Sequence, residues 1–323
     1  MKTPLRYAFV TLALAANVAG AQTYPTKPVT MVIPFAAGGP TDVVGRLLAQ
    51  SMSKTLGQQV IVENTVGAGG TIAATRVARA APDGYMVLLH HIGHSTAPSL
   101  YRKLPYDALN GFEMLGLVTD VPMTVVAKGN FQAKDFGEMV RYVKANKESI
   151  NLANAGTGSA SHLCGLLLQD AISTKVTTVP YKGTGPAMND LLGGQVDLMC
   201  DQTTNTTSYI KSGKIKAYAV TTPKRLAVLP DLPTTREAGL PAFEVAVWHG
   251  MYAPKGTPGD VVTKLNGAMK VALKDPLVIE RFAGLGTEPV AETRATPEVH
   301  RQFLTAEIAK WKSVIEKAGV QPE

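Results

Sequence analysis

Four short stretches of this 323-residue chain carry the residue types that grip an anion through backbone amides and hydroxyls. They are Pro34-Phe35-Ala36-Ala37-Gly38-Gly39-Pro40-Thr41-Asp42, Gly67-Ala68-Gly69-Gly70-Thr71, Ala155-Gly156-Thr157-Gly158-Ser159-Ala160-Ser161-His162 and Tyr181-Lys182-Gly183-Thr184-Gly185-Pro186. Glycine permits positive φ and close approach of backbone to a ligand. Each stretch leads into a helical pattern, whose first-turn N–H groups lack intrahelical partners and carry about half a positive charge. Such a terminus is an anion site. Thr41 is placed to cap the first helix, and Asp42 to cap or orient its loop rather than face an anion directly. A single glycine-rich strand–helix turn is ordinary; four in one chain point to a ligand beyond the carboxyl ends of the strands.

Other chemistries fit less well. Gly67-x-Gly69 and Gly156-x-Gly158 lack the third glycine of a dinucleotide fingerprint, where Ile72 and Ser161 stand instead. No Gly-Lys-Ser/Thr phosphate loop and no Gly-x-Ser-x-Gly elbow occurs. An exported α/β hydrolase-like enzyme is the rival reading, and it lacks a nucleophile–base arrangement. His90, His91 and His94 invite a metal, but neighbours on a strand point to opposite faces and no nearby Asp, Glu or Cys completes a set. They read as a polar pocket wall. Trp248 and His249 end an apparent strand, where Trp248 is either a ligand cover or ordinary core. No metal and no cofactor is expected.

The elements that must position these loops follow from the apolar pattern. Short apolar runs at 29–33, 60–62, 85–89, 113–118, 124–127, 151–153, 177–179, 196–199 and 216–219 lack strict alternation, as strands buried on both faces of a parallel sheet do. Helical spacing fills 41–56, 72–80, 135–145, 160–172 and 186–192, giving an α/β fold. The tail is helical at 258–273, 276–282 and 297–317, each run starting at a proline.

Lys2 and Arg6, the apolar run 8–16 and Ala19-Gly20-Ala21 form a secretory leader over 1–21, too short to span a bilayer. Its loss lowers the formal charge from +7 to +5, since 30 basic and 25 acidic side chains remain. The basic residues are scattered without interleaved aromatics, which argues against nucleic acid. In an oxidising compartment Cys164 and Cys200 are expected to pair; the alternative is two buried thiols.

The motifs also resemble a known family. Tyr24-Pro25-Thr26-Lys27-Pro28-Val29 with Ile33 to Asp42, Val62-Glu63-Asn64, Pro82-Asp83-Gly84-Tyr85, Leu104-Pro105-Tyr106, Val179-Pro180-Tyr181-Lys182-Gly183, Gly194-Gln195-Val196-Asp197 and Pro230-Asp231-Leu232-Pro233-Thr234 are similar to Bug-type receptors. Those are the solute-binding proteins of tripartite tricarboxylate transporters. The resemblance implies a type II periplasmic binding protein fold, two α/β lobes with mostly parallel sheets and a ligand cleft between them. Lobe one is expected at 22–122 plus 243–323 and lobe two at 123–242, with crossings near Val121–Val126 and Phe243–Trp248. It also implies a periplasmic monomer that binds a small organic carboxylate, a di- or tricarboxylate, acidic amino acid or aromatic carboxylate, and serves integral membrane subunits. Carried over, the binding set is Ala36, Gly39, Thr41, Asp42, Gly67, Ala68 and Gly69 in lobe one. Lobe two contributes Thr157, Gly158, Ser159, Ser161, Tyr181, Thr184 and Asp201. His91, His94 and Trp248 are the specificity candidates, and His90-His91-Ile92-Gly93-His94 departs from the small residues usual there.

Overall fold

Short strands rich in Val, Ile, Leu and Met alternate with helices along most of the chain, as the pattern requires. The computed structural model describes residues 24–317 and 319–322. The leader expected at 1–21 lies outside the described residues. The first units are β1 (Val29–Ile33), α1 (Pro40–Leu56), β2 (Val60–Asn64), α2 (Thr71–Ala78), β3 (Met86–His91) and α3 (Gly93–Leu100). A long strand follows, β4 (Phe112–Lys128), then α4 (Phe136–Ala145), β5 (Asn151–Asn154), α5 (Ala160–Ala171), β6 (Thr177–Pro180), α6 (Thr184–Leu192), β7 (Leu198–Gln202), α7 (Thr203–Lys211) and β8 (Ile215–Val220). The chain returns through β9 (Ala246–Pro254) and ends in α8 (Gly259–Leu273), α9 (Pro276–Gly284) and α10 (Pro297–Lys317).

Among the described residues the strands form one nine-stranded sheet, ordered β2-β1-β3-β9-β4-β7-β5-β6, with β8 also paired to β4. The short strands run parallel where they pair among themselves: β1 with β2 and β3, and β5 with β6 and β7. β4 runs antiparallel to β7, β8 and β9, and β9 antiparallel to β3.

The runs expected as separate strands at 113–118 and 124–127 are one strand. Its first part, through Pro122, pairs with β9; from Met123 onward it pairs with β7, and from Thr124 with β8. Pro122 has no N–H to donate, and it stands where the partner changes, a position a sheet tolerates. The chain comes back beside it, with Val245 N–H donating to Thr221 O at 3.1 Å just before β9 begins. Trp248 and His249 lie inside β9 and do not end a strand.

Two helices escaped the periodicity. α7 reads Thr-Thr-Asn-Thr-Thr-Ser, β-branched and polar, with poor helix propensity. It forms because the chain leaves β7 at a point where its Thr203, Thr204, Thr206 and Thr207 become buried. α3 carries Pro98 in its interior, which masks it as a helix. The cysteines are joined as expected, the Cys164–Cys200 bridge linking α5 to β7 across a 36-residue separation.

Candidate functional site

The first loop leaves β1 and enters α1. Gly39, in extended conformation, is the cap, and Pro40 takes the first helical turn. The proline's fixed φ starts the helix before Thr41, so Thr41 does not cap it. Its hydroxyl instead lies 3.3 Å from His249 Nε2. Asp42 is buried and braces the loop: it accepts from Gly38 N–H at 2.9 Å, Arg46 Nε at 2.8 Å and Asn64 Nδ2 at 2.9 Å. Asn64 Nδ2 also donates to Phe35 O at 2.9 Å. Burial pushes the Asp42 carboxyl upward, but hydrogen bonds from Arg46, Gly38 and Asn64 outweigh that and hold it below the ordinary carboxylate range.

The second loop closes against the third. Gly69 has φ +58, and a Cβ built there would stand 2.0 Å from Thr157 O. Tyr101 donates its hydroxyl to the same carbonyl at 3.1 Å. In the third loop Ser159 caps α5, accepting from His162 N–H at 3.2 Å, and Ser161 Oγ accepts from Ala155 N–H at 2.7 Å. The two hydroxyls are 3.2 Å apart. Gly158 N–H is engaged by His162 Nδ1 at 3.1 Å, so it is not the open donor the sequence suggested. With both serine oxygens accepting from backbone, one hydroxyl proton bridges the pair and the other points elsewhere.

The fourth loop meets the first. A Cβ on Gly183 would lie 2.9 Å from Ala36 Cβ, and one on Gly39 would lie 3.0 Å from Thr184 Oγ1. Thr184 is buried, and its hydroxyl has no partner among the described residues. Tyr181 donates to Asp190 Oδ2 at 2.6 Å, and burial followed by that carboxylate pushes its phenol up to about 12. Its hydroxyl is therefore spent locally. A cavity of about 200 Å³ lies where these loops converge, lined by Phe35, Gly67 to Gly70, Tyr101, Ala155 to Thr157, Tyr181 and Lys182.

The turn from β7 to α7 was only partly legible. Asp201 is wholly buried; its Oδ2 accepts from Asn205 Nδ2 at 2.6 Å and its Oδ1 has no partner. Burial pushes its carboxyl up to about 7, against smaller opposing hydrogen bonds from Asn205 and Gln202. Gln202 Oε1 and Thr204 Oγ1 are also buried and unpartnered. Neither residue was a candidate, because a Thr-rich stretch gives no helical signal from which to infer a fifth strand–helix turn.

The specificity candidates are corrected. Trp248 is core, with Nε1 donating to Glu307 Oε2 at 2.9 Å and its ring edge-on to Phe303. Residues alternate faces along β9, so Trp248 turns toward α10 while His249 meets Thr41. His94 is sealed among Tyr106, Phe112 and Tyr252, with Nε2 2.9 Å from Ala108 O. His91 stacks on Phe35 at 4.5 Å and accepts from Gly93 N–H. It supports the cleft from behind instead of lining it. The His90 and His91 rings lie 5.1 Å apart, closer than opposite faces allow, because the chain turns at the end of β3. Among the described residues no group of three His, Cys, Asp or Glu is arranged to hold a metal.

Residues 44–320 match the family profile "Tripartite tricarboxylate transporter family receptor". The chain belongs to that family. Its fold is similar to the periplasmic binding protein BugD at 56% identity and TM-score 0.91, covering 93% of this chain and all of the other. It is similar to MatC of Rhodopseudomonas palustris, solved with bound malate, at 44% identity and TM-score 0.87, covering 90% of this chain and all of MatC. A further R. palustris protein, solved with adipate, is 32% identical with TM-score 0.88, covering 93% of this chain and all of its own. The receptor is thus a Bug-type periplasmic binding protein with the two-lobed fold, and the hydrolase-like alternative falls because these relatives are binding receptors, not enzymes.

Proposed function

We propose that this receptor captures a small dicarboxylate in the periplasm and delivers it, as a monomer, to the integral membrane subunits of a tripartite tricarboxylate-type transporter. The observation that carries the reading is the meeting of loops: Ala36 and Gly39 against Gly183 and Thr184, and Gly69 against Thr157. Each belongs to a strand-to-helix turn, so the opening turns of α1, α2, α5 and α6 gather around one space. First-turn amides and helix dipoles there suit a carboxylate in a site whose single cationic lining residue is Lys182. Malate and adipate in the relatives are dicarboxylates, which favours that class over a monocarboxylate. In this reading lobe one is 22–122 plus 243–323 and lobe two is 123–242. The lobes close with Ala36, Gly39, Thr41, Gly67, Ala68 and Gly69 facing Thr157, Gly158, Ser159, Ser161, Thr184 and Asp201. Asp42 acts as the brace of the first loop, and 1–21 is the export leader.

Thermal unfolding with malate, adipate, succinate and citrate tests this. A ligand at a hundredfold excess over its dissociation constant stabilises by about 2.7 kcal/mol, a clear rise in Tm. No rise with any of the four rejects the reading.

A further inference from the structure

The charge inventory around the β7–α7 turn leads beyond capture itself. Cys200 faces α5 through its bridge, so Met199 and Asp201 face the opposite side of the sheet, where Met199 packs with Ala187 and Met188 of α6. Asp201 therefore stands at the carboxyl end of β7 on the side of α6 and α7. Unpartnered Thr184 Oγ1 opens α6 and unpartnered Thr204 Oγ1 opens α7. The turn also touches the segment just after α9, where Thr203 Oγ1 donates to Gly286 O at 3.3 Å.

Among the described residues no cation is paired with Asp201. On β4 its cross-strand neighbour is Thr124, and the charges of that strand are taken, Lys128 by Asp197 and Asp120 by Arg294. α7 offers Asn205, with Lys211 at its far end. The acid of α6, Asp190, holds Tyr181, and Asp42 at the head of α1 holds Arg46. Leu285 to Thr287 are neutral. A dianionic ligand entering this space would bring its charges to a buried carboxylate without a counter-ion, a costly arrangement unless that carboxylate takes up a proton.

We propose that Asp201 is a specificity-determining residue that works as a neutral acid, donating a hydrogen bond from its Oδ1 side to a ligand carboxylate, so that capture takes up one proton and release returns it. The inference rests on the carboxylate reading of the cleft. The proton comes from solvent, remains on Asp201 in the complex and breaks no covalent bond of the ligand. That Asp201 titrates near 7 leaves it mostly ionised in the empty receptor above neutrality. Affinity then falls by about tenfold per pH unit on the alkaline side.

Calorimetry with succinate, malate and adipate at about pH 6 and about pH 9, in buffers of low and high ionisation enthalpy, tests the idea. Expected are uptake of close to one proton at pH 9, seen as buffer-dependent heat in the wild type, and weaker binding there than at pH 6. Asp201→Asn carries a neutral donor of the same shape; it is expected to keep the pH 6 affinity within about threefold and to lose the pH dependence. Heat independent of buffer with a flat wild-type profile overturns the proposal, whatever the variants do. Loss of binding in Asp201→Asn at both pH values, with wild-type folding, also overturns it, since a neutral donor of the same shape would then fail to replace Asp201. If no probe binds wild type at either pH, the carboxylate reading itself fails and this inference goes with it.

Discussion

The turn from β1 into α1 and the turn from β7 into α7 each bury an aspartate at the head of a helix, yet the two are built oppositely. Both oxygens of Asp42 are engaged: Gly38 N–H, Arg46 and Asn64 converge on it and hold it ionised. Asp201 keeps one oxygen unpartnered, and burial raises its carboxyl to about 7. The first carboxylate shapes a loop from within, with both oxygens engaged. The second has one oxygen engaged and the other open. Burial and residue type alone therefore do not assign a role; the count of satisfied lone pairs does.

Removing the carboxylate engaged on both oxygens is the harshest test of this contrast. Asp42→Ala leaves Gly38 N–H without its acceptor and takes one acceptor from each of Asn64 and Arg46, and is expected to cost about 2–3 kcal/mol in denaturant unfolding. Asp201→Asn should leave stability within about 1 kcal/mol, because the amide oxygen can still accept from Asn205. Equal losses in the two variants would erase the distinction.

Acid separates the loop's brace from the imidazoles behind it. Burial pushes His94 down to about 4, and His249 and His300 to about 3. Unfolded histidines titrate near 6.5, so between about pH 6.5 and 4 the unfolded chain binds more protons and stability falls as pH falls. His94 alone accounts for roughly 3 kcal/mol across that window. Asp42, held low, loses its contribution only below about pH 4. A stability profile flat from neutrality to pH 4 would contradict the sealed imidazoles.

Closure is tested at Gly69. Valine there carries a β-branched side chain at φ +58 and meets Thr157 O. The chain should fold but bind a carboxylate about 100-fold more weakly, about 2.7 kcal/mol, by calorimetry. Gly39→Val is milder, since its φ of −77 suits any residue and its Cβ would stand 3.0 Å from the Thr184 hydroxyl and 3.2 Å from Ala36 O, against 2.0 Å from Thr157 O at Gly69.

The smallest effect belongs to Ser161. Ser161→Ala leaves Ala155 N–H without its acceptor and is expected to lower stability by about 1 kcal/mol, with a modest loss of affinity. A loss of binding beyond tenfold with unchanged stability would make Ser161 a direct ligand contact instead of a brace.

Four of the strand-to-helix turns, the bridge between Cys164 and Cys200, the mostly parallel α/β character and the family were legible in the sequence. Glycine, proline and capping residues act locally, and apolar runs report burial without regard to what covers them. Alternation along β9 put Trp248 and His249 on opposite faces, but only packing against Glu307 and Phe303 decided which one turned away from the loops. β4 became a single strand because β9, β7 and β8, all distant in sequence, pair along its length. The same holds for the meeting of Gly69 with Thr157 and for the open valence of Asp201: both depend on what other segments bring within a few ångströms, and no local residue pattern encodes that.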